Sequence, residues 1–337
     1  MIGIDWGSKF IKACRVSAKT DGRYIVYASM ISADDKNGDR EESPLLLKNK
    51  VNTLLRQMRI KNHDAFLSAG GSSLLARDFS LPKMAAENIG GAVMIEAENS
   101  IFETLDDMYC DYEVISDSGE KMDILFIAYP KEQINHMLDS FSQSELEILG
   151  ITADNMALVN CFLTFDEKRA LSSSVVLVNI GHEVSNIAII DKGRLKFIRN
   201  VAFGGLDVTK EIAAAYEVDV NTAEQIKRQP EFWESIGFNV RNILKKSSSN
   251  LLEAIFRSME HSVSRQKIGK IDKILLTGGG AILRGIDDFV YETLGISTQK
   301  WNPLASGDII GAVDKEKGFF IPVALGLAVQ KGEKSNV

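Results

Sequence analysis

Apolar positions along this chain recur with two different periods, and the switches between them mark its elements. Residues 1–31 read as strand, turn and strand, with a break at Gly7 and a third strand over Tyr24–Ile31. The run Asp34–Ser43 (DDKNGDREES) has no apolar member and is expected to be a solvated loop. Helical spacing follows over Leu45–Met58, then a short strand at Ala65–Ser68. Texture changes at Phe79–Pro82. The pattern predicts a helix over Met84–Phe102, strands at Met108–Ile115 and Met122–Tyr129 around a turn at Asp117–Lys121, and a long helix Lys131–Leu149 stopped by Gly150.

After a predicted helix Asn155–Phe165 and a hinge-like break at Ser172–Ser174, the opening pattern starts again. Strands are expected at Val175–Ile180, Asn186–Asp191 and Leu195–Val201, with a turn at Lys192–Gly193. Helices follow over Leu206–Tyr216, Asn221–Arg228 and Leu251–Gln266, then a strand Lys273–Thr277 and a helix Ala281–Thr293. Two halves built to one plan, with a β-α-β-β-α-like insert at about residues 80–150 in the first, is the organisation this implies. Two unrelated α/β domains would give a similar string of elements.

Composition narrows the picture. The 337 residues, 45% hydrophobic and 25% charged, suit a soluble globular protein of two domains. A net charge of −7 and the lack of a long basic stripe argue against nucleic acid as a partner. Cys14, Cys110 and Cys161 are isolated and odd in number, as expected of buried reduced thiols in a cytosolic protein. No stretch has the length or apolarity of a membrane span, the N-terminus lacks a signal-peptide pattern, and the tail KGEKSNV is polar. A cytoplasmic protein that reaches membranes only through partners is the expectation.

Candidate chemistry lies in four glycine-bearing segments: GIDWGSKFIK (Gly3–Lys12), VLVNIGHEVSNIAIIDKG (Val176–Gly193), LLTGGGAILRGI (Leu275–Ile286) and PVALGLAVQ (Pro322–Gln330). Glycine turns let the backbone approach a phosphate and direct N–H groups at it. In the first turn Asp5 can hold a hydrated Mg²⁺, Gly7, Ser8 and Lys9 offer N–H groups, and Lys12 can turn its charge back toward phosphates. The second turn has Asn179 where the first has Asp5, followed by Gly181, Ser185 and Asn186; an amide can bind a metal-bound water but supplies no charge and no general base. His182 has no second metal ligand at suitable spacing and is at most a peripheral contact. Glu224 and Lys227 share a helix face and either clamp a ribose or form an ordinary surface ion pair. Gly278, Gly279 and Gly280 present bare backbone at a strand-to-helix junction, fit to sandwich an adenine or accept a phosphate.

In their order these motifs resemble those of the actin-like ATPase superfamily, which includes actin, Hsp70, sugar kinases and the division protein FtsA. Gly3–Lys12 resembles its first phosphate loop, Val176–Gly193 its second, Leu275–Arg284 its adenosine motif and Ala324–Leu327 its second connecting helix. Within it the chain is most similar to the PilM family of type IV pilus assembly proteins, through GIDWGSKFIK, Arg199–Arg228, MIEAENSIF (Met94–Phe102) and LLTGGGAILRGI. It departs from that pattern at Asn179, in Asp34–Ser43 and in Ser72–Arg77.

The resemblance implies an α/β, actin-like ATPase fold: two duplicated RNase H-like lobes around a nucleotide cleft, plus a small α+β inserted subdomain. Residues 1–80 and 155–170 would form the first lobe, 81–152 the partner-binding insert, and 171–330 the second lobe, with about 206–272 capping the nucleotide. It implies ATP and Mg²⁺ as cofactors, a set that takes in Arg284 of the adenosine motif, and Asp154 as the candidate for positioning an attacking water. Hydrolysis is expected to be slow or absent. The implied role is a scaffold at the cytoplasmic face of the inner membrane, binding the N-terminal cytoplasmic peptide of a PilN-like bitopic protein and acting beside pilus assembly ATPases. That peptide would lie in a groove between insert and first lobe, floored by Met122–Tyr129 and the apolar face of Met84–Phe102. The alternatives on the same fold are a small-molecule kinase and an FtsA-like division or GspL-like type II secretion component.

Overall fold

A computed structural model describes residues 1–33, 44–60, 63–101, 104–142, 144–233, 236–265, 268–306, 308–310 and 314–330. The expected loop Asp34–Ser43 therefore lies outside the described residues, as does the C-terminal tail KGEKSNV. The first lobe begins with β1 (Ile2–Trp6), β2 (Phe10–Ala18) and β3 (Tyr24–Ser32), followed by α1 (Pro44–Gln57) and β4 (His63–Ala69). The insert comprises β5 (Leu75–Pro82), α2 (Ala86–Ser100), β6 (Met108–Asp117), β7 (Lys121–Pro130) and α3 (Lys131–Phe141). The chain returns through β8 (Leu146–Ala153), α4 (Asp154–Phe165) and the short α5 (Glu167–Ser172). The second lobe contains β9 (Ser174–Ile180), β10 (Ser185–Asp191), β11 (Arg194–Val201), α6 (Gly205–Tyr216), α7 (Val220–Arg228), α8 (Val240–Ser247), α9 (Ser249–Arg265), β12 (Lys273–Thr277), α10 (Ile286–Leu294) and β13 (Thr298–Lys300). Finally β14 (Ile309–Ile310) joins the first lobe's sheet and α11 (Pro322–Val329) crosses back beneath it.

The two large sheets share one topology. Their orders are β14-β3-β2-β1-β4-β8 and β11-β10-β9-β12-β13. In each, an antiparallel three-strand meander is extended by two parallel strands from its first strand. The first strand is therefore central and covered on both faces, so β9 reads as an unbroken apolar run, Val175–Val178, all fully buried. The duplicated plan expected from the element pattern is the plan of the molecule.

Between the lobes, α4 and α11 pack against each other and form a core with residues of both sheets, including Cys14 and Val26 from one side and Val175, Leu177 and Leu275 from the other. Helix α11 is apolar on every side and buried over Pro322–Ala328, as a helix enclosed by protein must be. Its Gly326 lies against the Ala157 carbonyl of α4, and Gly3 of β1 lies against the backbone of α11 at Ala324 and Ala328; a side chain at either position would occupy that space. Cys14 and Cys161 are buried here, and desolvation raises both thiols; Cys110 in the insert is only partly buried.

Several expectations change. The helix Lys131–Leu149 is not continuous: α3 ends at Phe141, where the Ser142 and Ser144 hydroxyls donate to the Asp139 and Phe141 carbonyls at 2.6 and 2.7 Å. Beyond this stop the chain forms strand β8, parallel to β4. Gly150 stops no helix; it makes room for the Phe66 ring, which would lie 2.9 Å from an added Cβ. Part of the segment assigned to the insert, 81–152, thus joins the first lobe's sheet, while the insert's three-stranded sheet, β5-β7-β6, already begins at Leu75. Met137 and Phe141 of α3 belong to the first lobe's core. The break at Ser172–Ser174 is the end of α5 running into β9, and α8 has no counterpart among the expected elements.

The insert sheet has two faces. Met122, Ile124, Phe126 and Ala128 of β7 pack on Val93 and Ala97 of α2, whereas Leu125 and Ile127 face the core between the lobes. The apolar face of α2 is consequently spent inside the insert and cannot floor a peptide groove. Asp78 of β5 meets His261 of α9 at 2.5 Å, joining insert and second lobe. Among the described residues no helix is long and apolar enough to cross a membrane.

Candidate nucleotide cleft

Two hairpins face the space between the lobes, and their registers superimpose. In β1/β2, Asp5 pairs with Lys12 and Trp6 with Ile11; in β9/β10, Asn179 pairs with Asn186 and Ile180 with Ser185. Each turn is closed by one bond from a glycine N–H to the carbonyl three residues on, Gly7 to Phe10 and Gly181 to Val184, both 3.1 Å. Together with Gly278–Gly280 and Glu224, these turns border one cavity of about 1120 Å³.

Of the residues singled out from the sequence, Asp5, Gly7, Ser8, Lys9, Lys12, Asp154, Asn179, Gly181, Asn186, Glu224, Lys227, Gly278, Gly279, Gly280 and Arg284 all line that cavity. Ser185 does not. Its register mate in the first lobe is Ile11, and both positions point into their lobe's core; the Ser185 hydroxyl donates to the Phe203 carbonyl at 2.7 Å. His182, expected at the periphery, borders the cavity too, and burial followed by the nearby Lys9 charge holds its imidazole below the usual histidine range.

The equivalent pairs differ in charge. Lys12 Nζ lies 2.5 Å from Asp5 Oδ2, with both side chains largely withdrawn from solvent, and Ser68 Oγ approaches Asp5 Oδ1 at 3.4 Å. The opposite pair is neutral: Asn179 Nδ2 donates to Asn186 Oδ1 at 2.8 Å. Asn186 Nδ2 then donates to Asp154 Oδ2 at 2.9 Å and to Asn200 Oδ1 at 3.1 Å, and Asn200 Nδ2 donates to the Gly71 carbonyl at 2.7 Å. This chain of amides ties β9, β10 and β11 to α4 and to the Gly70–Gly71 turn after β4. Burial is the main cause that raises the Asp154 carboxyl, although part of it faces the cleft; the nearby Asp5 charge raises it further. The Asn186 donor opposes both, and the result is a value of about 7.

On the far wall, Glu224 of α7 accepts from Lys227 Nζ and Thr209 Oγ1, both at 2.6 Å, and from Arg228 Nε at 2.8 Å. Burial pushes the Glu224 carboxyl up, but these donors outweigh it and leave it below the usual range; for Lys227 burial wins and its ammonium is lowered. Lys227 Nζ also reaches the Gly205 carbonyl at 2.8 Å. The pair is thus a half-buried clamp joining α6 and α7, unlike a loose surface ion pair.

Gly278 has φ +86°, and a side chain there would run into the Ile180 carbonyl and the Asn179 amide, so only glycine fits. The helix expected from Ala281 is divided: a single 3-10 turn covers Gly279–Ile282, and α10 begins only at Ile286. A helix dipole at the three glycines is therefore missing, and close backbone approach is what they offer. Phe320, which stacks edge-on to Phe10 at 6.0 Å, borders the same wall. Sequence reasoning missed Gly70, Gly71, Asn200 and Phe320. The Gly70–Gly71 pair is visible as a turn signal, whereas Asn200 and Phe320 reach the cleft region only through tertiary contacts.

Comparison with known proteins agrees with this architecture. A family model for type IV pilus assembly protein PilM matches residues 3–331. Among solved structures, a PilM–PilN type IV pilus biogenesis complex superimposes with TM-score 0.80 at 21% identity, covering 97% of each chain. The ethanolamine utilization protein EutJ from Carboxydothermus hydrogenoformans gives TM-score 0.56 at 14% identity, over 97% of this chain and 88% of that one. The cell division protein FtsA of Bacillus subtilis is 25% identical over 205 residues, 55% of this chain and 45% of FtsA. The chain therefore spans about half the length of the curated relatives it matches. With duplicated lobes, an insert after β4 and a family match along nearly its whole length, the protein has the actin-like ATPase fold and belongs to the PilM family of type IV pilus assembly proteins.

Proposed function

We propose that this chain binds ATP with Mg²⁺ between its lobes and acts as a nucleotide-responsive scaffold in type IV pilus assembly, with hydrolysis slow or absent. One observation carries the reading: three glycine turns, distant in sequence, converge on one cavity of about 1120 Å³ that holds the buried Asp5–Lys12 pair, and the fourth glycine-bearing segment borders it through Val323. The donor set suits the ligand. Among the described residues no three His, Cys, Asp or Glu side chains cluster as metal ligands. Mg²⁺ needs no such cage, since it keeps its waters and meets one or two carboxylates plus phosphate oxygens. Asp5 would hold it through water, and the metal would supply charge neutralisation of the phosphates.

The chain's own residues do the rest. N–H groups of Gly7–Lys9 and of the Gly181 turn face the phosphates from opposite lobes, and Lys12 adds positive charge beside them. Glu224, Lys227 and Arg284 take the nucleoside side, against the bare backbone of Gly278–Gly280. Asp154, whose carboxyl is raised to about 7, would orient a water, but Asn179 brings neither charge nor base to the second turn. Binding outlasts chemistry in such a site. The partner, by likeness to the PilM–PilN complex, is the N-terminal cytoplasmic peptide of a PilN-like inner-membrane protein held at the insert, which would bring the chain to the cytoplasmic face of that membrane.

A fluorescent ATP analogue tests the site. Lys12→Ala and Gly279→Val are expected to abolish its binding while circular dichroism stays that of the parent. If both variants bind as the parent does, the nucleotide assignment is wrong.

A further inference from the structure

The cavity does not stop at the phosphate turns. It continues past Trp6 to the exposed face of α3, where Glu132, Gln133 and His136 border it. Trp6 sits between Asp5 and Gly7, inside the first turn. Its backbone N–H donates to Ser68 Oγ at 3.3 Å, the same hydroxyl that approaches Asp5. Its ring leaves the lobe's sheet and lies against α3, stacked on His136 with centroids 6.5 Å apart and edge-on to Phe141 at 5.6 Å. Helix α3 in turn follows β7 without an intervening residue, Pro130 ending the strand and Lys131 starting the helix. Strand β7 is the central strand of the insert sheet. A short run of contacts thus connects the turn that would touch a phosphate to the middle of the insert.

The second lobe shows what this position needs for the fold alone. The register mate of Trp6 is Ile180, a fully buried aliphatic residue packed under Gly278 and Gly280. An aliphatic side chain therefore satisfies the strand end and its core. The first lobe, which bears the insert, places there the half-buried Trp6, which packs against that lobe's core beside Met137 and Phe141 of α3 and reaches on to the exposed His136. The Trp6 indole is wedged against Phe141 and the lobe's core, and a close-packed contact passes a displacement of the turn on to α3.

We infer that Trp6 and His136 couple the first glycine turn to the insert, so that occupancy of the cleft alters the packing of α3 and β7. The inference rests on the proposed nucleotide binding and adds the residues through which it would be felt. Coupling carried by a two-position contact is reciprocal, so a ligand held at the insert would change nucleotide affinity through the same two rings.

Amide hydrogen exchange over Lys131–Phe141 and Lys121–Pro130, with and without a saturating non-hydrolysable ATP analogue and Mg²⁺, reads this directly. In the parent, the analogue is expected to change exchange of α3 by about threefold or more, the scale of coupling through a single contact. In Trp6→Leu and in His136→Ala that response is expected to vanish, with analogue affinity measured by calorimetry on the same samples. His136 is exposed, so its replacement leaves the fold intact and keeps the test open should Trp6→Leu prove unstable. A merely structural role would lower stability and leave the nucleotide-induced response in place. Binding of the analogue with an unchanged α3, or an equal response in both variants, overturns the coupling and spares the nucleotide reading; no binding at all overturns both.

Discussion

Asn179 and Asn186 occupy the positions that Asp5 and Lys12 hold in the other lobe, and the exchange replaces a buried ion pair by a neutral amide pair. The amides are directional. Asn186 accepts from Asn179 and donates to Asp154, so Asn179→Asp would set a carboxylate against the Asn186 oxygen. Turning that amide would take the donor from Asp154. The substitution is expected to cost about 1–3 kcal/mol in chemical denaturation, the usual penalty for a buried polar group left unpaired. An Asn179→Asp variant as stable as the parent would show that the network rearranges freely.

Asp154 gives the same site a pH signature. Its carboxyl stands at about 7 against an ordinary 3.8, so the native state binds a proton more readily than the unfolded chain. Its contribution is fully present below 3.8 and is lost as pH rises through about 7. A full shift would change stability by up to about 1.4 kcal/mol per pH unit, less here because part of the group faces the cleft. Between pH 5 and 8 the denaturation midpoint of the parent should fall more than that of Asp154→Ala; parallel curves would contradict the raised carboxyl.

At the scale of elements, glycines that look alike in the sequence have opposite meanings. Gly91 of α2 has open space where a side chain would go, so Gly91→Ala is expected to stabilise by about 0.5–1 kcal/mol through lost freedom in the unfolded chain. Gly326 of α11 touches the Ala157 carbonyl, and Gly326→Val should cost about 1–3 kcal/mol by forcing α11 from α4. Urea denaturation of the two variants checks both signs. The hairpins, the buried strands β9 and β12 and helix α4 were legible because their periodicity and their neighbours agree. The end of α3 was not, because Lys131–Leu149 contains no proline and the nearest glycine, Gly150, lies beyond it. The two serines that close α3 act through local bonds, and serine is common enough within helices that neither marks a stop by itself.

At the scale of the molecule, the cleft exists because two sheets of one topology share a core built on α4 and α11. A ligand bridging both lobes would stabilise the whole by about 2.7 kcal/mol at a hundredfold excess over Kd. For a protein of this size that is several degrees in Tm. Mg–ATP is expected to raise Tm in the parent and to leave that of Lys12→Ala where it was. A Tm that stays put at saturating Mg–ATP would mean that the native cleft does not bind the nucleotide.

The sequence by itself determined the repeated strand–turn–strand units, the glycine turns and the identity of the polar residues facing the cleft. Strand periodicity and turn chemistry are local, and register then places every second side chain. Tertiary structure decided what no local pattern encodes. It withdrew the apolar face of α2 into the insert, whereas Ser185 turns inward by strand alternation alone, because its neighbour Asn186 faces the cleft. It also brought Gly71, Asn200 and Asp154 into one hydrogen-bonded chain, since segments distant in sequence meet only once the two lobes have packed.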